Sequence, residues 1–321
     1  MMQRIFAVAF ALLALLALPA WAQTSSYPVK PVRFVVPLAP GGGADTFARF
    51  LARSMSPALG QQIVVDNRPG GSGTIGGEHV VRSAPDGYTL MVSGTGQLVA
   101  SITHRKTDIE RDFTPIALGM DQPYLLTVHP SLPVRTLDEF VKFVRARPGD
   151  VVYASAGMAS AGHIAMELLR TAMKVEMIHV PYKGAGAALA DVVAGQVPII
   201  FSSPLGTVPL VRTGRLRALA VSSAHRMGAL PDVPTVHEAG VKGFATAAFL
   251  GLFGPAGVPR DVVHRLSTEM IRIIERPESR EWLQHQGAEP APGTPEQLAE
   301  RVRSDVARIK KLLADTHLKL N

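Results

Sequence analysis

The chain has 321 residues, enough for a large core and about two domains. It contains no cysteine, which excludes disulfides, thiolate metal sites and cysteine nucleophiles together and suits an oxidising compartment. Its 33 basic and 26 acidic residues give a formal charge of +7. These charges are scattered and no basic patch is interleaved with aromatics, which argues against nucleic acid as a partner.

Arg4, a continuously apolar run of 14 residues over 5–18 and the small-x-small triplet Ala20-Trp21-Ala22 predict an export signal over residues 1–22. The run is shorter than the ~20 residues a membrane-spanning helix needs. No cysteine follows it to carry a lipid anchor, so the mature chain is expected to begin near Gln23, in the periplasm of a two-membrane bacterium. A strand over 32–38 then ends in Pro40-Gly41-Gly42-Gly43-Ala44-Asp45, and a helix is predicted over 45–59. A strand that ends in glycines and opens into a helix offers free backbone N–H groups at a positive helix end. With no lysine in the loop and no Gly-x-x-x-x-Gly-Lys-Ser/Thr in the chain, a small carboxylate fits better there than a nucleotide phosphate.

Strands are predicted next over 62–66, 89–93, 116–120 and 124–129, with a helix over 77–83 between the first two. A helix over 137–147 leads to strands over 151–154, 176–181, 197–201 and 216–221. These alternate with helices over 162–173, 185–194 and 208–212. A last strand over 249–253 precedes amphipathic helices over 260–275 and 295–313, which are expected to cover the outer lobe and carry no chemistry. Strands apolar throughout suggest sheets covered on both faces, hence an α/β chain with mostly parallel sheets. Abutting strands near Asp121-Gln122-Pro123 and a second crossing after Ser222-Ser223 divide the mature chain in two. The expected lobes are an outer one, 23–122 plus 224–321, and an inserted one, 123–223, joined by a two-crossing hinge with the ligand cleft between them.

Familiar chemical motifs are weak or missing. Gly71-x-Gly73-x-x-Gly76 matches the dinucleotide fingerprint, but no acidic residue ends the next strand, so it reads as a tight packing turn. His163 and Glu167 stand at i, i+4 without a third ligand at metal-binding spacing, and no metal or cofactor is expected. Gly-x-Ser-x-Gly is absent and no motif pairs a serine with a base. What remains is a set of small polar loops at predicted strand ends. Besides the first loop, these are Ser93-Gly94-Thr95-Gly96, Ser155-Ala156-Gly157 with Ser160 and Gly162, Lys183-Gly184-Ala185-Gly186, and Ser202-Ser203. Ligands of open α/β sheets bind at such ends. Asp45 has two readings: a cap on its helix, or a group that orders the loop or meets a ligand ammonium. Capping is favoured because a bare carboxylate would repel an anion.

Ordered segments of the chain resemble a known family. They include Val36-Pro37-Leu38-Ala39-Pro40-Gly41-Gly42 with Asp45, Asp66-Asn67-Arg68-Pro69-Gly70-Gly71, and Pro85-Asp86-Gly87-Tyr88-Thr89-Leu90. Asp112-Phe113-Thr114-Pro115, His179-Val180-Pro181-Tyr182-Lys183-Gly184, Leu230-Pro231-Asp232-Val233-Pro234-Thr235 and Gly251-Leu252-Phe253-Gly254-Pro255 continue the series. The family is that of the periplasmic solute-binding proteins of tripartite tricarboxylate transporters, the Bug-type receptors. The resemblance implies a type II periplasmic-binding fold of two α/β lobes and capture of a small carboxylate by loop N–H groups and ordered waters. It also implies delivery to a two-subunit membrane permease; a monomer with no catalytic step is expected. Carried over, the ligand residues are Pro40, Gly41, Gly42, Gly43 and Asp45 in the first loop, Ser155, Ala156, Gly157, Ser160 and His163 in the inserted lobe, and Thr95 and Ser202. Leu38, Val99-Ala100 and Phe249-Leu250 depart from the family pattern. The ligand class therefore spans di- and tricarboxylates, aromatic acids and acidic amino acids. A same-fold sensor of a signalling system and a secreted hydrolase are the competing readings.

Overall fold

The computed structural model describes residues 27–158 and 160–316; the expected export signal lies outside them. Two mixed sheets, each covered by helices on both faces, form two lobes. The first sheet is built by β1 (Val32–Val36), β2 (Ile63–Asn67), β3 (Thr89–Gly94), β4 (Phe113–Pro123), β10 (Ala247–Pro255) and β11 (Glu289–Gly293), in the order β11-β4-β10-β3-β1-β2. The second is built by β5 (Leu125–Val128), β6 (Val152–Ser155), β7 (Ile178–Pro181), β8 (Ile199–Ser202) and β9 (Arg217–Val221), in the order β7-β6-β8-β5-β9.

Alternation along β1 explains the layering of the first lobe. Phe34 and Val36 point to one face, under α1 (Gly43–Leu59) and α8 (Arg260–Glu275), where Phe47, Leu51, Leu266 and Met270 are buried with them. Val35 points to the other, where Met91 and Phe253 meet Leu298 and Val302 of α10 (Pro295–Thr316). In the second lobe Phe140 of α4 (Leu137–Arg145) and Met166 and Leu169 of α5 (Ala161–Met173) bury Tyr153 and Phe201. On the opposite face, α6 (Ala185–Val193) covers Ala154 and Ile200.

Two expectations change. The sheets are mixed rather than mostly parallel: β10 runs antiparallel to β3 and β4, and β5 runs antiparallel to β8 and β9. Burial on both faces requires apolar strands in either direction, so apolar runs do not report strand direction. The second crossing falls at residues 246–247 rather than after Ser223. Residues 224–246 return to the second lobe, where Val236 and Phe244 join its core and the Val236 N–H donates to the Val221 carbonyl. Ser222 ties the two crossings together. It exchanges hydrogen bonds with Tyr124 (its N–H to the Tyr124 carbonyl, 2.9 Å; the Tyr124 N–H to its Oγ, 2.7 Å), and its Oγ donates to the Thr246 carbonyl at 2.6 Å. Further elements that the apolar pattern did not mark are β11, α3 (Thr95–His104) and α9 (Pro277–His285).

Candidate functional site

Between the lobes lies a cleft of about 750 Å³, including its open mouth. Six helix starts reach it: Gly43 and Ala44 of α1, Gly73 capping α2 (Thr74–Val81), Gly96 of α3, Ser160 to Gly162 of α5, Ala185 of α6, and Ser203 capping α7 (Pro204–Arg212). Each carries roughly half a positive charge and free N–H groups. Among the described residues, none that lines it bears a charged side chain. The electrostatics are those of an anion site built from neutral dipoles, with a partly apolar wall that includes Leu38, Tyr124, Phe201 and Phe249.

Of the ligand residues carried over from the resemblance, Gly43, Ser155, Ala156, Ser160 and Ser202 line this cleft, as do Ser93, Gly96, Gly162, Ala185 and Ser203 of the polar strand-end loops. The other carried-over residues lie around it. Pro40, Gly41 and Gly42 form a seam against the start of α6: the Gly42 Cα faces the Ala185 methyl, and a Cβ on Gly186 would overlap the Pro40 carbonyl oxygen. Asp45 is buried, with Oδ2 accepting from the Gly41 N–H and Arg49 Nε, both at 3.0 Å. Arg49 Nη2 continues to Asn67 Oδ1 (3.2 Å), and Asn67 Nδ2 donates to the Leu38 carbonyl (3.1 Å). Oδ2 is thus spent on fixing the loop, and the carboxyl stays below its ordinary range: burial opposes this, but the bonds from Arg49 and Gly41 outweigh it. Thr95 Oγ1 accepts from the Phe249 N–H at 3.0 Å.

Beneath the second-lobe loop sits a stack of rings. Tyr153 and His179, paired across β6 and β7, have ring centroids 5.0 Å apart, and His179 lies 3.9 Å from His163. Ser155 Oγ is hydrogen-bonded to His179 Nε2 at 2.6 Å and accepts from the Gly157 N–H at 3.1 Å, closing a tight turn under Ala156. Ser160 Oγ caps α5 by accepting from the His163 N–H. Tyr153 Oη donates to Glu167 Oε1 (2.6 Å), which also pairs with Arg170. His163 and Gly157 therefore support the loop from behind rather than line the cleft.

Ser155 and His179 carry the atoms of a nucleophile and a base, a pairing that no sequence motif announced. Their chemistry is poor for that task. Burial, with His163 adding to it, pushes His179 down to about 4, so the ring is a weak base near neutral pH. Among the described residues its Nδ1 meets no carboxylate that would orient it.

Sequence reasoning missed Ser72, Gly73, Gln97 and Gln122 as lining residues. Two of them bridge the lobes: Gln122 Oε1 accepts from Ser203 Oγ at 2.6 Å, and Ser72 Oγ donates to the Met158 carbonyl. The run of positive φ at Gly70, Gly71, Ser72 and Gly73 was readable as glycine-rich, but as a packing turn rather than a wall of the site.

The family model described as tripartite tricarboxylate transporter family receptor matches residues 47–318. The chain is 38% identical over 299 residues to the UPF0065 protein in the tcbD-tcbE intergenic region of Pseudomonas sp. (strain P51), covering 92% of this chain and 89% of that one. Its fold is similar to that of R. palustris Rpa4515 with adipate, with a TM-score of 0.86 at 34% identity, over 90% of this chain and 97% of that one. MatC (Rpa3494) from Rhodopseudomonas palustris with bound malate gives 0.83 at 35% identity, over 88% and 98%. The two-lobed fold, the charge-free anion cleft and a family match spanning most of the sequence agree, and the chain belongs to the tripartite tricarboxylate transporter receptor family, as a solute-binding receptor.

Proposed function

We propose that the receptor captures a small carboxylate between its lobes and hands it to a two-subunit membrane permease. The observation that carries this reading is the convergence of six helix starts on a cleft whose lining has no charged side chain. Neutral donors hold an anion without a fixed cation that would slow its release. Relatives of the same fold bearing adipate and malate support the class of ligand. The lobes close when the ligand touches both, because only differential contact shifts such an equilibrium. Residues 1–22 export the chain to the periplasm, where it acts as a monomer without a catalytic step. Gly43, Ser155, Ala156, Ser160 and Ser202 face the ligand, while Pro40 to Gly42, Asp45, Gly157 and His163 shape the loops that hold it.

Thermal unfolding with a panel of di- and tricarboxylates, aromatic acids and acidic amino acids tests this. A ligand at 100 times its Kd adds about 2.7 kcal/mol of stability, a readily measured rise in Tm. With sugars and cations added as controls, stabilisation by one of these and by no carboxylate would sink the reading.

A further inference from the structure

Five buried polar side-chain atoms have no hydrogen-bond partner among the described residues, and of these only Oε1 of Gln97 belongs to a residue that lines the cleft. Gln97 is 1% exposed. Its Nε2 donates to Oγ1 of Thr107, itself buried, at 2.9 Å, and this bond fixes the amide plane. Oε1 is turned toward Gly73, the residue that caps α2 and also faces the cleft; a Cβ there would stand 3.7 Å from it. A buried carbonyl oxygen without a donor is costly, and in a native fold it calls for a partner that completes it.

The sequence makes room for this amide at a cost. Gly76 and Gly77 lie together inside α2, where glycine weakens a helix. At Gly77 the reason is Gln97: a Cβ would come within 2.6 Å of Nε2 and 2.8 Å of Oε1. The helix gives up a side chain so that the amide can lie flat beside its own N-terminal end.

We infer that Gln97 is a specificity-determining residue whose Oε1 accepts a hydrogen bond from a hydroxyl of the ligand, beside the carboxylate that the α2 start holds. The receptor therefore prefers a hydroxy acid to the same acid without the hydroxyl. This rests on the carboxylate reading above. An ammonium group is the poorer donor here, since the cleft lining has no acidic side chain to balance it against the positive helix ends.

Titration calorimetry with matched pairs tests the inference: malate and succinate, citrate and tricarballylate, mandelate and phenylacetate, with aspartate as the ammonium counterpart. In the best-binding pair the hydroxylated member should bind about tenfold more tightly. In Gln97→Met that ratio should fall to about one, through weaker binding of the hydroxylated member. Thr107→Val, which frees the amide to turn, should lower the ratio part of the way and carries the test if Gln97→Met does not fold. Equal binding within every pair, a ratio that survives both substitutions, or aspartate binding more tightly than malate would overturn the inference and leave the carboxylate reading standing. Failure of every carboxylate to bind would remove both.

Discussion

The two walls of the cleft present the same thing to a ligand, backbone donors at helix starts, and hold it in place by opposite means. In the first lobe the loop before α1 is braced by charge: Asp45 takes the Gly41 N–H and Arg49, and Arg49 passes the constraint to Asn67 and Leu38. In the second lobe the loop after β6 is braced by neutral groups, with Ser155 bonded to His179 and that ring stacked on His163. Burial resists a positive charge on His179, and a second imidazole 3.9 Å away adds to the resistance. One wall should therefore respond to salt and the other to acid.

The largest expected effect comes from keeping the walls apart. Gly186 lies against the Pro40 carbonyl, so Gly186→Val puts a branched side chain into the seam between the first-lobe loop and α6. Ligand affinity should fall about 100-fold or more, since the closed arrangement loses its advantage. The unliganded Tm should move little, because opened lobes leave the seam in water. Calorimetric titration and a melt of the free protein measure both, and unchanged affinity would show that binding does not need the seam.

How far the sequence reached follows the same division. The first loop was legible because glycines between an apolar strand and a helix have few other uses, and the boundaries of α1 and β3 came close to those observed. The seam was not legible: Gly184 to Gly186 reads locally as a helix start, and only the tertiary fold shows which carbonyl it meets. Gln97 was hidden because α3 begins within a run read as a loop, and because its partner Thr107 lies ten residues on. His163 was assigned to the ligand, whereas its ring lies beneath the loop, stacked on a residue from a neighbouring strand. Strand direction and the second crossing depended on contacts across the fold that a linear pattern does not carry.

Next in size is the charged brace. Asp45→Ala leaves the Gly41 N–H and Arg49 without their acceptor and should cost about 2 kcal/mol in urea unfolding. The carboxyl is held below its ordinary value when folded, so its contribution is present above the unfolded value and lost only as pH falls through the folded one. The penalty should therefore be flat from pH 5 to 8. A penalty that changes steadily across that range would contradict the assignment.

His179 behaves differently in that window. Folding lowers its value from 6.5 to about 4, so the unfolded chain binds the extra proton between those limits. Stability from this ring is complete above pH 6.5 and is lost as pH falls toward 4. His163 is lowered in the same sense by burial, while Glu167, held by Arg170 and Tyr153, keeps its negative charge on the far side of the stack. The loss should be about 1–2 kcal/mol, less than the shift alone gives because the ring is only partly buried. His179→Gln should flatten the stability profile between pH 4 and 6.5, and an unchanged slope would place the titration elsewhere.

The smallest effect separates the walls most cleanly. Arg49 is half exposed, at 51%, so its ion pair with Asp45 is screened. Arg49→Lys keeps the charge and removes the fork that reaches Asp45 and Asn67 together, which should cost about 0.5 kcal/mol at low salt. Raising the salt from about 0.05 to about 0.5 M should erase most of that difference, because the Debye length shrinks to a few ångströms. The cost of Ser155→Ala in the other wall should be the same at both salt concentrations, since no ion pair joins Ser155 to His179. Equal salt dependence in the two variants would mean that both loops are braced by charge, and the contrast between the walls would fall.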